Sequence, residues 1–101
     1  MSIVTIIASH IKKKYNADVQ ISEDLLAFLE FSNFYTEIKY HPSSRNIWIT
    51  IVYFNTPNDD FYYTFESRFT FNINRHSSDE IISYIDSEIN KMRSIALLKE
   101  I

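Results

Sequence analysis

Residues 61–73 read FYYTFESRFTFNI. Every second residue is apolar or small: Phe61, Tyr63, Phe65, Ser67, Phe69, Phe71 and Ile73. Between them stand Tyr62, Thr64, Glu66, Arg68, Thr70 and Asn72. Side chains in a strand alternate faces, so this spacing predicts one long strand with an aromatic face and a polar face. Aromatic and β-branched residues suit a pleated, half-buried surface. Burying each large apolar side chain contributes roughly 1.5–3 kcal/mol before entropy is counted. The Phe/Tyr face therefore needs a cover, and the rest of the chain has to provide it.

Two further strands precede it. Phe34, Thr36, Ile38 and Tyr40 alternate with Tyr35, Glu37, Lys39 and His41. After the turn His41-Pro42-Ser43-Ser44-Arg45-Asn46, residues 47–54 are apolar on both phases, the pattern of a central strand. Asn55-Thr56-Pro57-Asn58-Asp59-Asp60 is a second turn. Two short hairpins follow from this spacing. In the first, Tyr40 faces Ile47, Ile38 faces Ile49 and Thr36 faces Ile51. In the second, Tyr53 faces Phe61, Ile51 faces Tyr63 and Ile49 faces Phe65. That register sets Ser67 against Ile47 and leaves Phe69, Phe71 and Ile73 beyond the end of the middle strand. An unpaired apolar overhang is an edge hazard, so another segment should meet it.

Val19 and Ile21 alternate with polar neighbours as in a short strand. From Ser22 to Asn33 periodicity does not separate a helix from a buried strand. The overhang favours a strand there. Ile3, Ile6, Ile7, Ile11 and Tyr15 recur at helical spacing, with Ser2 as a cap and Lys12, Lys13 and Lys14 near the C-terminal end of the dipole. Ser77 and Glu80 have capping-box spacing ahead of a broad apolar helical face: Ile81, Ile82, Tyr84, Ile85, Ile89, Met92, Ile95, Ala96 and Leu98. The expected fold is one α+β domain over residues 1–101. It has an antiparallel sheet of three to four strands, with N- and C-terminal helices packed on one face.

Composition narrows function mainly by exclusion. The chain has 101 residues, no cysteine and no glycine. Without cysteine there is no thiol catalysis and no Cys-ligated zinc. Without glycine, phosphate-cradling loops, dinucleotide fingerprints and nucleophile elbows are not available, and Asn and Asp are expected to take the left-handed turn positions. The net charge of −3 is the opposite of a general nucleic-acid binder's. No stretch is apolar for long enough to span a bilayer. The N-terminus lacks the charge order of a secretory signal, so it is read as part of the fold and the protein as cytoplasmic.

Chemistry is sparse. His10, His41 and His76 show no metal-ligand spacing, Asp59-Asp60 sits in a turn, and no serine has an evident base. Neither catalysis nor a cofactor or metal is expected. The polar sheet face is more informative. Its predicted rows are Tyr35–Val52–Tyr62, Glu37–Thr50–Thr64 and Lys39–Trp48–Glu66, and no remaining segment covers them. A Trp and two Tyr amid mixed charges have the composition of a protein-binding face, though an ordinary exposed sheet face would also hold such pairs. The candidate partner-binding residues are Tyr35, Trp48, Val52, Tyr62, Glu37, Glu66, Asp59 and Asp60, with Asp18, Glu23 and Asp24 as a further acidic set. Two alternatives stay open. One is a nucleic-acid module using Lys12 to Lys14 with Arg45, Arg68 and Arg75; the other is a homo-oligomeric assembly subunit.

The chain carries no family motif. In being small, acidic, glycine-free and rich in Ile, Phe, Tyr, Asn and Lys, it is similar to the immunity proteins and anti-defence inhibitors of bacteria and their phages. That resemblance implies binding rather than catalysis. It also implies a protein partner, such as a basic nuclease or another toxin or defence protein.

Overall fold

The computed structural model describes residues 2–54 and 64–99. Helix α1 (Ile3–Tyr15) leads into strands β1 (Asp18–Ser22), β2 (Leu26–Phe31), β3 (Phe34–His41), β4 (Asn46–Phe54) and β5 (Thr64–Asn72), and helix α2 (Ser78–Lys99) follows. The strands form one antiparallel meander in chain order, β1-β2-β3-β4-β5. The α+β class and the terminal helices agree with expectation. The sheet has five strands instead of three to four, because the chain from Asp18 to Phe31 forms a complete hairpin.

The β3–β4 register is the expected one, with Tyr40 opposite Ile47, Ile38 opposite Ile49 and Thr36 opposite Ile51. The β4–β5 register is corrected by four residues. Tyr53 pairs with Phe65, Ile51 with Ser67, Ile49 with Phe69 and Ile47 with Phe71. The expected apolar overhang does not form: Phe69 and Phe71 lie within the pairing, and Ile73 N–H donates to Arg45 O at 3.0 Å. A slip of four preserves every side chain's face, so the hydrophobic pattern permits both registers. Energy separates them. The observed register pairs all of β5 and sets Phe69 and Phe71 against Ile49 and Ile47. The longer connection costs less than about 0.6 kcal/mol, the penalty for doubling a loop. Phe61, Tyr62 and Tyr63 lie outside the described residues, as does the predicted turn at 55–60. Residues 26–31 form a strand, as expected, but it pairs with β3 and not with an overhang of β5.

The core lies between sheet and helices. Ala27, Leu29, Phe31, Phe34, Ile38, Ile47, Ile49, Ile51 and Tyr53 meet Val4, Ile7, Ala8 and Ile11 of α1 and Ile81, Ile85, Ile89, Met92 and Ala96 of α2. The α1 stripe runs through Val4 and Ala8; Ile6 is only half-buried. On α2, Tyr84 is part-exposed and packs edge-on against Phe69 and Phe71 instead of entering the buried core. Helix α1 covers β1 to β3, while α2 lies beside α1 and reaches β5. Both caps form as spaced. Thr5 N–H donates to Ser2 Oγ at 3.1 Å. At α2, Glu80 N–H donates to Ser77 Oγ and Ser77 N–H donates to Glu80 Oε1, at 3.2 and 3.3 Å.

Turns without glycine carry strain. Asn16 and Asp24 take left-handed φ as expected, but so do Glu23, Ser32 and Arg45. Asn and Asp tolerate this region, while at Glu23, Ser32 and Arg45 it costs about 1–2 kcal/mol each. Glu23 and Asp24 are adjacent, with φ of 53° and 57°, and Leu25 N–H donates to Ser22 O across them. Two successive positive φ values match the twist of the flanking strands, so the hairpin itself imposes this conformation.

Candidate protein-binding face

The second sheet face carries no helix among the described residues. Its rows follow from the strand registers. One is Asp18–Glu30–Tyr35–Val52–Glu66 and the next is Gln20–Phe28–Glu37–Thr50–Arg68. The third is Ser22–Leu26–Lys39–Trp48–Thr70. The structure thus brings Tyr35, Glu37, Trp48, Val52 and Glu66 onto one surface. The slip of β5 changes their neighbours: Val52 faces Glu66, Thr50 faces Arg68, and Trp48 faces Thr70 instead of Glu66. Tyr62, Asp59 and Asp60 lie outside the described residues.

Trp48 is 50% exposed although it sits in an inner strand. Its ring rests against His41, with centroids 4.4 Å apart, so part of its rotamer freedom is already lost. It lines a surface depression with Thr50, Arg68 and Thr70. Farther along the face, Phe28 stacks with Tyr35 at 6.1 Å. Burial first, then the charges of Glu37 and Glu30, raises the Tyr35 hydroxyl above its ordinary value. Phe28, Glu30 and Asp18 join the face without having been placed on it by sequence. Their signal is the alternation of Leu26, Phe28 and Glu30 against Ala27, Leu29 and Phe31, which only a strand assignment brings out.

The face is acidic. Asp18, Glu30, Glu37 and Glu66 stand on it against Lys39 and Arg68. Arg68 is held by Glu66 through Nε and Nη2, both at 2.9 Å from Oε1. Asp18 and Glu30 are directly opposed across β1 and β2, an unfavourable like-charge pair. The basic residues considered for nucleic acid do not gather in the same way. Lys14 is bound to Asp86 on the helix side and Arg68 to Glu66 on the sheet side.

A second polar cluster joins the helices. Tyr15 donates to Asp86 Oδ1 at 2.5 Å, Lys14 Nζ lies 3.0 Å from Oδ2, and His10 Nε2 lies 3.1 Å from Oδ2. The Tyr15 ring stacks on Phe31, and Arg93 lies over it. His10 and Lys14 are one turn apart on α1, while Asp86 is on α2, so no local spacing marks the cluster. An Asp–His pair is one part of a catalytic relay, but the His10 ring bonds Asp86 and, among the described residues, no Ser or Thr hydroxyl. The geometry is that of a clamp between α1 and α2.

Burial pushes the Asp86 carboxyl up, but the hydrogen bonds from Tyr15, Lys14 and His10 outweigh it and hold the group below the usual carboxylate range. A depressed carboxyl stabilises the fold above its unfolded pKa, about 3.9, and that stability is lost as pH falls through the folded value. Asp86→Asn is therefore expected to cost about 1 kcal/mol at neutral pH, a figure reduced for the exposure of Lys14 and His10. It should also flatten the fall in stability below about pH 4. Urea denaturation across a pH series checks both; an unchanged acid limb would show that the clamp does not form.

Among the described residues no cluster of His, Cys, Asp and Glu has the makings of a metal site, and no helix is long and apolar enough to cross a membrane. No protein-family model, curated protein or solved structure matches the chain.

Proposed function

We propose that this chain is a non-enzymatic, cytoplasmic binding protein that inhibits or neutralises a specific protein partner through the open sheet face. The observation that carries the reading is Trp48: a half-exposed tryptophan on an inner strand, braced by His41, with Thr50, Arg68 and Thr70 beside it. Large aromatic anchors set in a polar surround are the residues that dominate protein interfaces. A rigid sheet presents them at little entropic cost on binding. The surrounding carboxylates favour a basic partner, such as a nuclease or another toxin or defence protein, and speed encounter with it. Inhibition is then by occlusion, with Trp48, Tyr35 and Val52 seated on the partner and Glu37 and Glu66 at the rim. Affinity capture from the host, with wild-type chain and with Trp48→Ala, tests this. A partner held by the wild type and lost by a folded Trp48→Ala supports the reading. Equal capture by both sinks it.

A further inference from the structure

Strand β5 is the last strand of the sheet, and among the described residues none pairs with its outer edge. It is nine residues long with no proline. Open edges of this kind are sites for pairing with another chain. The direction of its backbone groups follows from one bond. Ile73 N–H donates to Arg45 O, continuing the β4–β5 ladder. Antiparallel strands alternate the side to which successive residues point their N–H and C=O. The odd-numbered residues of β5 thus point theirs at β4, and Glu66, Arg68 and Thr70 point theirs outward. Phe54 N–H donating to Asn33 O, on the other side of β4, agrees with this alternation.

We infer that this edge pairs with β5 of a second copy of the chain, antiparallel about a two-fold axis at Ser67. In that register Glu66 of each copy lies opposite Arg68 of the other, on the same face of the joined sheet. Both are outward-pointing residues, so they form the hydrogen-bonded pairs of the new ladder. Charge selects the register. Moving the axis by one residue either way sets Glu66 against Glu66 or Arg68 against Arg68, and directly opposed like charges are destabilising. Ser67 on the axis is small, and its hydroxyl already donates to Glu88 Oε2 at 3.1 Å, so it needs no partner. On the helix side, Tyr84 is 42% exposed over Phe69 and Phe71, with ring centroids 4.6 and 5.4 Å away. A second copy would cover this aromatic group beside the seam. The result is a continuous sheet with five strands from each copy, and both Trp48 surfaces remain open. Glu66 belongs to both the seam and the rim of the partner-binding face, but Trp48 does not pair across the edge, so Trp48→Ala leaves the seam intact.

Light scattering on the full chain is expected to give twice the 12.0 kDa protomer mass. Glu66→Arg or Arg68→Glu alone opposes like charges twice by symmetry and should weaken the dimer about tenfold or more. Both side chains are well exposed, so neither change threatens the fold. Mixing the two single variants should form a heterodimer. Each arginine of the Glu66→Arg chain then lies opposite a glutamate of the Arg68→Glu chain, at both contacts. The double swap, Glu66→Arg with Arg68→Glu, should restore the homodimer. A monomeric wild type overturns the inference, as does a dimer indifferent to the single reversals or a mixture that does not associate.

Discussion

Replacing Phe34 with alanine is expected to lower the unfolding free energy by about 3–5 kcal/mol. Phe34 is 2% exposed and opens β3. It is the middle member of an aromatic row that crosses the core. Tyr15 stacks on Phe31 at 4.7 Å, Phe31 on Phe34 at 5.2 Å, Phe34 meets Tyr53 edge-on at 5.1 Å, and Tyr53 stacks on Phe65 at 5.9 Å. The guanidinium of Arg93 lies 5.4 Å from the Phe34 centroid, which adds α2 to the row. Deleting the ring removes its transfer energy and leaves a void between rigid neighbours that cannot close it. Domains of this size hold about 5–15 kcal/mol in all, so the loss is a large fraction. Phe28→Ala is the matched control on the open face and should cost about 1 kcal/mol. Chemical denaturation of both variants distinguishes them; equal losses would mean that the aromatic row is not in the core.

Thr36→Val is expected to move stability the other way, by about 1–3 kcal/mol. Thr36 is fully buried, with Leu29 and Ile51 as its cross-strand neighbours, and among the described residues its Oγ1 has no hydrogen-bond partner. A hydroxyl taken out of water without a partner costs its desolvation energy. Valine keeps the branched shape and the strand propensity and removes the polar atom. A higher denaturation midpoint with an unchanged slope is the expected result. Destabilisation would mean that the hydroxyl is satisfied in solution.

Thr36 and Phe34 lie on the part of the fold that is most legible in the sequence. The β3–β4 hairpin can be read because its turn is short and contains Pro42, so loop length and alternation fix one register. The β4–β5 register cannot. Any even slip leaves Phe65, Phe69 and Phe71 facing the helices, and only the energy of the whole ladder chooses among slips. Residues 22–33 are ambiguous for a different reason. Leu25, Leu26 and Leu29 are spaced as on a helix, while Ala27, Leu29 and Phe31 alternate as in a strand. Tertiary pairing on β3 decides between them. The open face is legible on β3 and β4, where alternation alone groups Tyr35, Glu37, Trp48 and Val52. It is not legible on β1 and β2, because the register that adds Phe28, Glu30 and Asp18 follows from the pairing of those strands. The Asp86 clamp leaves no trace in the sequence, because its members come from helices at opposite ends of the chain.

The most direct measurement is calorimetric titration of the captured partner with three folded proteins: wild type, Trp48→Ala, and Lys12→Ala combined with Lys13→Ala on the helix side. If the open sheet face is the binding surface, Trp48→Ala weakens the complex about tenfold or more and the lysine variant binds like wild type. Wild-type affinity in Trp48→Ala, with the loss falling instead on the lysine variant, would contradict it and move the binding surface to the helices.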